Sequence, residues 1–406
     1  MTKELIAIKE ISPPPARRRR RERILVALTL LLIAVVWVAG AVRSESEHLP
    51  CVELAFPGAE HFVKEEDGLY SAWWDGSKPG FLGYVAIGVG DGYGGPVRVA
   101  VAVDRAGETV GVVIAGHGET TAWMNRVVKS DLLRSLIGKA HSDPFEIGAD
   151  VDGVTGATTT SRALAWAVRD GSRAAALRLG LPVNEPQPPK IVFGIPEIVL
   201  LALFAVGYIG HQGRFPFTRQ VRWGTMLIGL VVLGFVYNAP VTLASITRLT
   251  LGYWPQWQTN LYWYFLIGGI LLVFTIDNKN PYCRWFCPFG AAQECMAVIG
   301  GAKAKVSRRV SEGLKWLPRL LALGAVLIGV YYRNPGLASY EVFGTLFELI
   351  GSNIQFTILG LVLVASLFVL RPWCNYLCPI APVVDLIRVI REAVKEPWRK
   401  TKNDPA

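Results

Sequence analysis

Charge is scarce in this sequence: Asp, Glu, Lys and Arg make up 18% of its 406 residues, against 51% hydrophobic residues and a positive mean hydropathy. A soluble domain is roughly 25% charged, so the balance excludes an ordinary soluble protein and indicates a membrane protein. Cysteine is scarce too. Five of the six lie in or directly after apolar segments in the last third of the chain, which excludes a secreted disulfide framework, and Cys51 stands alone as an incidental thiol. No basic amphipathic face is present. The net charge of +10 comes from short Lys and Arg runs beside apolar stretches, a pattern of topology signals rather than of nucleic-acid binding. No G-x-G-x-x-G follows a strand pattern, which disfavours a dinucleotide fold. Ionisable residues are sparse inside the apolar stretches, Glu197 being the clearest exception, and this disfavours an ion pump or transporter, which needs several.

What the chain does have is apolar length. Arg17 to Arg21 precede ILVALTLLLIAVVWVAGAV at 24–42, close to the roughly 20 residues that a spanning helix needs. A cleaved signal peptide is the competing reading, because Ala39-Gly40-Ala41 resembles a cleavage site, but the run exceeds the roughly 7–15 residues of a signal core. Five further apolar stretches lie near 191–210, 223–241, 261–276, 315–331 and 355–371. The connections 211–222 and 303–315 and the C-terminal tail are rich in Lys and Arg, whereas 242–260 and 332–354 are nearly free of them. The positive-inside rule then gives six spans with both termini in the cytoplasm. The tail at 383–406 opens on the amphipathic VVDLIRVIREAVKE (383–396), expected to lie in the inner interface.

Between the first two spans, residues 48–185 read as a globular domain on the outer face. VRVAVAVD (97–104) and TVGVVIAG (109–116) form a hairpin pattern around a turn, and the Ala-rich 160–180 has helical spacing. A proline-rich linker, 185–190, leads back to the membrane. The fold class expected is an α-helical polytopic membrane protein of about six spans with an inserted extracytoplasmic α+β domain. Its segments are a basic cytoplasmic N-terminus (1–23), a first span (24–42), the domain (48–185), a five-helix membrane unit (191–382) and the tail.

DGVTGATTTS (152–161) opens the Ala-rich helix with an aspartate, two glycines and a hydroxyl cluster. A helix N-terminus of this kind offers backbone N–H groups and a positive dipole to a phosphate, although such threonines also serve simply as caps. The pattern D-x-x-[ST]-G-A-T resembles the flavinylation motif of FMN-binding domains in Rnf and sodium-pumping quinone reductase subunits and in NosR-type membrane flavoproteins. Asp152, Thr155, Gly156, Ala157 and Thr158 fill it. The resemblance implies FMN joined by a dedicated flavin transferase to Thr158 through a phosphoester, with Thr160 as the fallback. The preceding 92–120 resembles the strand pair and loop of those domains, and places His117, Glu119 and Thr120 beside the flavin. A solvated loop is the alternative for His117 and Glu119. The family's Pro-Gly continuation is replaced by Thr121-Ala122-Trp123, and Trp123 is a candidate ring-packing residue.

CRWFCP (283–288) and CNYLCP (374–379) repeat one pattern, each with a proline after the second cysteine. At helical spacing the two sulfurs of each motif share a face, and the proline stops the helix. Cys283, Cys287, Cys374 and Cys378 together match the ligand count of one iron–sulfur cluster, 4Fe-4S being the expected type. Thiolate-bound zinc, a reversible dithiol pair and plain core cysteines are the alternatives. Cys295 is either a spare ligand or helix packing.

The whole constellation resembles the NosR/NirI family and the PceC-type proteins of organohalide respiration, in the short form without a C-terminal ferredoxin. It implies a bacterial cytoplasmic-membrane electron-transfer component, with no stand-alone enzyme activity assigned. The quinone pool or a cytoplasmic donor would stand on one side and an exported reductase or its maturation system on the other. A redox-sensing regulatory protein is the alternative. A hydrocarbon core of roughly 30 Å is expected to separate cysteines from flavin. The aromatic group Trp254, Trp257, Tyr262, Trp263 and Tyr264 reads as an interfacial belt more simply than as a quinone pocket.

Overall fold

A computed structural model describes residues 16–45, 49–75, 80–183, 191–212, 217–277, 280–304 and 306–403. The linker expected at 185–190 and the first 15 residues lie outside the described residues. Helix α1 (Ala16–Glu45) runs without a proline or a charged interruption through its apolar stretch. A short α2 (Leu49–Ala55) leads into the globular unit.

That unit is a five-stranded antiparallel meander of β1 (His61–Glu66), β2 (Leu69–Trp74), β3 (Gly80–Asp91), β4 (Pro96–Asp104) and β5 (Thr109–His117). The hairpin read from 97–116 is the β4–β5 pair. Its turn is held by Asp104, whose Oδ1 accepts the N–H groups of Ala106 and Glu108 at 2.9 Å each. Helices α3 (Thr121–Val128) and α4 (Leu132–Ser135) follow, then the long α5 (Thr158–Arg178). Alternation along β4 divides the core: Val97, Val99, Val101 and Val103 face α5, while Ala100 and Ala102 face α2. The good helix formers of α5 also give it a slim face, which lies almost on the backbone of β3. A Cβ on Gly90 would stand 1.8 Å from the carbonyl oxygen of Ala163, so only glycine permits that approach.

The remaining helices are α6 (Ile195–His211), α7 (Thr218–Ile228), α8 (Leu243–Thr250), α9 (Leu261–Asp277), α10 (Pro288–Gly300), α11 (Arg308–Leu314), α12 (Leu317–Tyr331), α13 (Phe343–Phe347), α14 (Asn353–Phe368), α15 (Pro372–Tyr376) and α16 (Ile380–Asn403). Helix α7 continues as a π-helical segment, Gly229–Val236. Three helical stretches among the described residues are long and apolar enough to cross a membrane: Arg20–Arg43, Thr218–Val236 and Val310–Tyr331. Three shorter apolar helices, Ile195–Gly210, Leu261–Ile276 and Asn353–Phe368, coincide with the other stretches read from the sequence. Outward-facing side chains such as Leu31, Val38, Leu272 and Leu361 are apolar, as a hydrocarbon solvent requires. Helix α1 packs against α12 and α16, α6 against α9, and α10 against α14. The amphipathic segment read from 383 begins three residues earlier, at the start of α16.

Glu197, the exceptional charge, has a local task. Its Oε2 accepts the N–H of Gly194 at 2.8 Å, capping the start of its own helix.

Candidate functional site

The threonine cluster sits where α5 begins. Val154 to Ala157 make a tight turn, closed by the Ala157 N–H donating to the Val154 carbonyl at 2.9 Å, with Gly156 at φ +76. That left-handed conformation is why the motif needs glycine there. The cap position falls on Ala157, which has no side chain able to satisfy the first amides of α5. Thr158 and Thr159 are exposed, as are Asp152, Thr155 and Gly156, while Ala157 and Thr160 are buried. An exposed hydroxyl beside uncapped helix amides suits a phosphoester. Thr160 is differently placed: its hydroxyl donates to Glu119 Oε2 at 3.1 Å. Arg126 on α3 lies over the turn, its Nη1 2.8 Å from where a Cβ on Gly156 would stand.

Glu119 is 1% exposed, so the solvated-loop reading fails for it. Its Oε1 accepts the N–H of Gly94 at 3.2 Å, which ties the loop after β5 to the β3–β4 turn. Burial raises its carboxyl to about 7, against the lowering effect of the Gly94 and Thr160 hydrogen bonds and of Arg248. His117 ends β5, and burial lowers its pKa. Thr120 stands at the N-cap position of α3 without a side-chain cap hydrogen bond, and borders a cavity.

This cavity, about 230 Å³, lies between the globular unit and the membrane unit. Tyr93, Thr120, Trp123 and Thr159 border it from one side, and Asn238, Val241, Tyr262, Trp263, Glu341 and Phe343 from the other. Polar contacts lock the two units together around it. Tyr93 donates to the Asn238 carbonyl at 3.0 Å, and Glu348 accepts from both the Trp123 indole (2.9 Å) and the Asn238 amide (2.7 Å). Buried Arg248 on α8 pairs with Asp91 and donates to the Gly92 carbonyl at 3.0 Å. The aromatic belt divides here. Tyr262 and Trp263 line the cavity, whereas Trp254 and Trp257 are exposed.

The helical geometry expected for the cysteine motifs is not what forms. Tyr282–Phe286 make one π-helical turn and Cys287 is extended, at φ −61 and ψ 119, because Pro288 opens α10 and disfavours helical backbone in the residue before it. Cys374 lies in α15, and Cys378 lies beyond its end. The motifs nonetheless come together: Cys283, Cys287 and Cys378 pack against one buried apolar cluster, and Gln293 on α10 reaches Cys374. Among the described residues no three His, Cys, Asp or Glu side chains form a group able to hold a single metal ion. Donors already aim at the sulfurs, with Asn280 Nδ2 and Gln293 Nε2 each 3.3 Å from Cys283 and Cys374 respectively. Arg371 donates to the Cys283 carbonyl at 2.8 Å and pairs with Glu294. Hydrogen bonds to sulfur and a nearby cation suit a thiolate-held cluster.

Contacts link the cavity wall to the neighbours of both cysteine motifs. Val241, on the cavity wall, donates its N–H to the Tyr282 hydroxyl at 3.0 Å, and Tyr282 adjoins Cys283. Phe343, also on the wall, lies 6.4 Å from the ring of Trp373, which adjoins Cys374. The cavity wall thus meets the residues that adjoin Cys283 and Cys374. Sequence reasoning missed Tyr93, Asn238, Arg248, Glu341 and Glu348. Arg248 carried a signal, as a cation in a loop region otherwise poor in them.

Comparison with known proteins agrees with both motifs. Residues 92–172 match the family described as FMN-binding domain, and residues 259–307 and 355–397 match the 4Fe-4S binding domain, the latter two segments containing the two cysteine pairs. The chain is 29% identical to protein NirI of Paracoccus denitrificans (strain Pd 1222) over 207 residues, 47% of this chain and 30% of that one. It is 25% identical to regulatory protein NosR of Pseudomonas aeruginosa over 203 residues, 45% of this chain and 27% of that one. The match spans less than a third of the length of either relative. An FMN-binding domain, a 4Fe-4S binding domain and apolar helices thus occur in one chain, a combination that supports a NosR/NirI-type family of FMN-binding membrane proteins.

Proposed function

We propose that this protein is an electron-transfer component of the bacterial cytoplasmic membrane, with FMN joined to Thr158 by a phosphoester and a 4Fe-4S cluster held by Cys283, Cys287, Cys374 and Cys378. The flavin and the cluster would supply the redox chemistry. The chain's own residues supply position. Thr158 offers an exposed hydroxyl at an uncapped helix start, Glu119 braces that start through Thr160 and Gly94, and Asn280 and Gln293 direct donors at two of the sulfurs. The observation that carries the reading is the continuity from Thr159 through the cavity to Val241, Tyr282 and Cys283.

In this reading the chain spans the membrane six times, both ends lie in the cytoplasm and the flavin domain lies outside. A flavin transferase matures it. Electrons pass between the quinone pool or a cytoplasmic donor and an extracytoplasmic reductase or its maturation system. The name of the NosR relative favours a second reading, a redox-sensing regulator of such a system.

Anaerobic purification of the full chain, followed by iron and sulfide analysis and low-temperature paramagnetic resonance, tests the cysteine centre. Stoichiometric iron and sulfide with a cluster signal, both lost in Cys374→Ser, are expected. Iron-free wild-type protein that is folded and flavin-loaded would contradict the proposal.

A further inference from the structure

One residue on the wall of the cavity between the two units has an unmet hydrogen-bond acceptor. Asn238 borders the cavity, is buried, and has its Oδ1 without any hydrogen-bond partner. A buried acceptor left this way has lost its hydration with nothing in exchange, so a native structure that keeps one needs a reason for it. The amide cannot turn to escape, because its Nδ2 donates to Glu348 and a carboxylate only accepts. Glu348 also accepts from Trp123, so one carboxylate fixes both a planar aromatic wall and the waiting acceptor. Asn238 itself is held at φ +39, which aspartate and asparagine tolerate better than other side chains.

The other features of the cavity define what fits. Its walls are largely aromatic and aliphatic, with Tyr93, Trp123, Tyr262 and Phe343 among them. At about 230 Å³ it is smaller than the roughly 300–1,000 Å³ that enclose a whole drug-sized ligand, so it suits a flat ring system with the rest of the molecule outside. Thr159, the neighbour of Thr158, is on its rim.

We propose that the cavity is the seat of the isoalloxazine ring carried on Thr158, and that Asn238 of the membrane unit supplies the acceptor for a ring N–H. This rests on the attachment proposed above and goes beyond it. The flavin site becomes a composite, incomplete until the globular unit docks on the membrane unit. Docking then both shields the ring from water and brings it over Val241, Tyr282 and the cysteines.

The test uses the full chain, produced with a flavin transferase and purified in detergent, with an FMN-sized mass increment verified for each sample. Iodide quenching of the flavin emission measures exposure of the ring. In the native wild type the quenching constant should be at least several-fold smaller than in the denatured protein. Ser245→Trp, which fills the cavity from α8, should raise it towards the denatured value with the adduct intact. Asn238→Leu, the gentler change, should raise it and shift the flavin absorption maximum, and it decides the matter if Ser245→Trp does not fold. A native flavin as open to iodide as a denatured one overturns the proposal, as does an Asn238→Leu protein unchanged in both readouts. If a soluble quinone analogue binds and Ser245→Trp abolishes that binding without altering ring exposure, the cavity is a quinone site and the proposal is likewise overturned. Lack of an adduct in the wild type would instead sink the attachment reading, and this one with it.

Discussion

Almost complete burial, which outweighs the lowering effect of its two hydrogen bonds, makes Glu119 responsive to pH in the range where most carboxylates are already ionised. Its folded pKa, about 7, lies above the ordinary 4.5. The folded form therefore holds a proton that the unfolded form has released, and the resulting stability is full below 4.5 and is lost as pH rises through about 7. Thermal unfolding of the full chain should show a midpoint that falls as pH is raised from 4.5 to 7, and Glu119→Gln should flatten that slope. An equal slope in both proteins would remove Glu119 as its source. Burial, then Glu348, Glu119 and Glu341, raise the phenol pKa of Tyr93 as well, so it remains a donor to Asn238.

At the scale of elements, two contacts decide whether the site is assembled. Helix α5 reaches β3 because Gly88 and Gly90 have no side chains, and Gly90→Val would push the helix start, with Thr158 on it, off the sheet. Overpacking of this kind costs about 1–3 kcal/mol where side chains can yield, and here the clash is with backbone, so the cost should reach or exceed the upper end of that range. Denaturant unfolding measures it, and a loss below the lower end would show that β3 and α5 can separate freely. Docking of the globular unit rests on Arg248, buried against Asp91 and the Gly92 carbonyl. Arg248→Leu leaves Asp91 with only the Gln256 N–H at 3.2 Å; breaking a fully buried pair typically costs about 3–5 kcal/mol, and with the Asp91 side chain 21% exposed the loss should fall below that range. Limited proteolysis of the connection between the units should accelerate in the variant, and an unchanged digestion pattern would mean that the Tyr93, Trp123 and Asn238 contacts suffice.

For the whole molecule, the sequence is readable wherever the signal is local. The β4–β5 hairpin announces itself by alternation around a turn, α5 by alanine spacing, and the membrane helices by apolar length, because each depends on residues close together in the chain. Thr158 is legible for the same reason, through a ten-residue motif. The cavity is not: it draws on Tyr93, Trp123, Asn238, Tyr262 and Phe343, which no periodicity links, and Asn238 looks like an ordinary loop residue until its oxygen is found without a donor. Nor was the local geometry of the first cysteine motif visible. Proline after Cys287 and the π-helical turn before it carry the chain off the regular helix on which a spacing estimate relies. Burial at the domain interface likewise explains Glu119 and Arg248, two charges that hydropathy alone assigns to solvent.

The central claim is that the membrane chain carries its flavin covalently at Thr158. The most direct measurement is the intact and peptide mass of the full chain, produced with a flavin transferase and denatured, for wild type, Thr158→Val and Thr160→Val. The account predicts an FMN-sized increment on the peptide containing residues 152–161 in the wild type and in any folded Thr160→Val, and none in Thr158→Val. An increment that survives Thr158→Val, or its absence from folded wild-type protein, would contradict it.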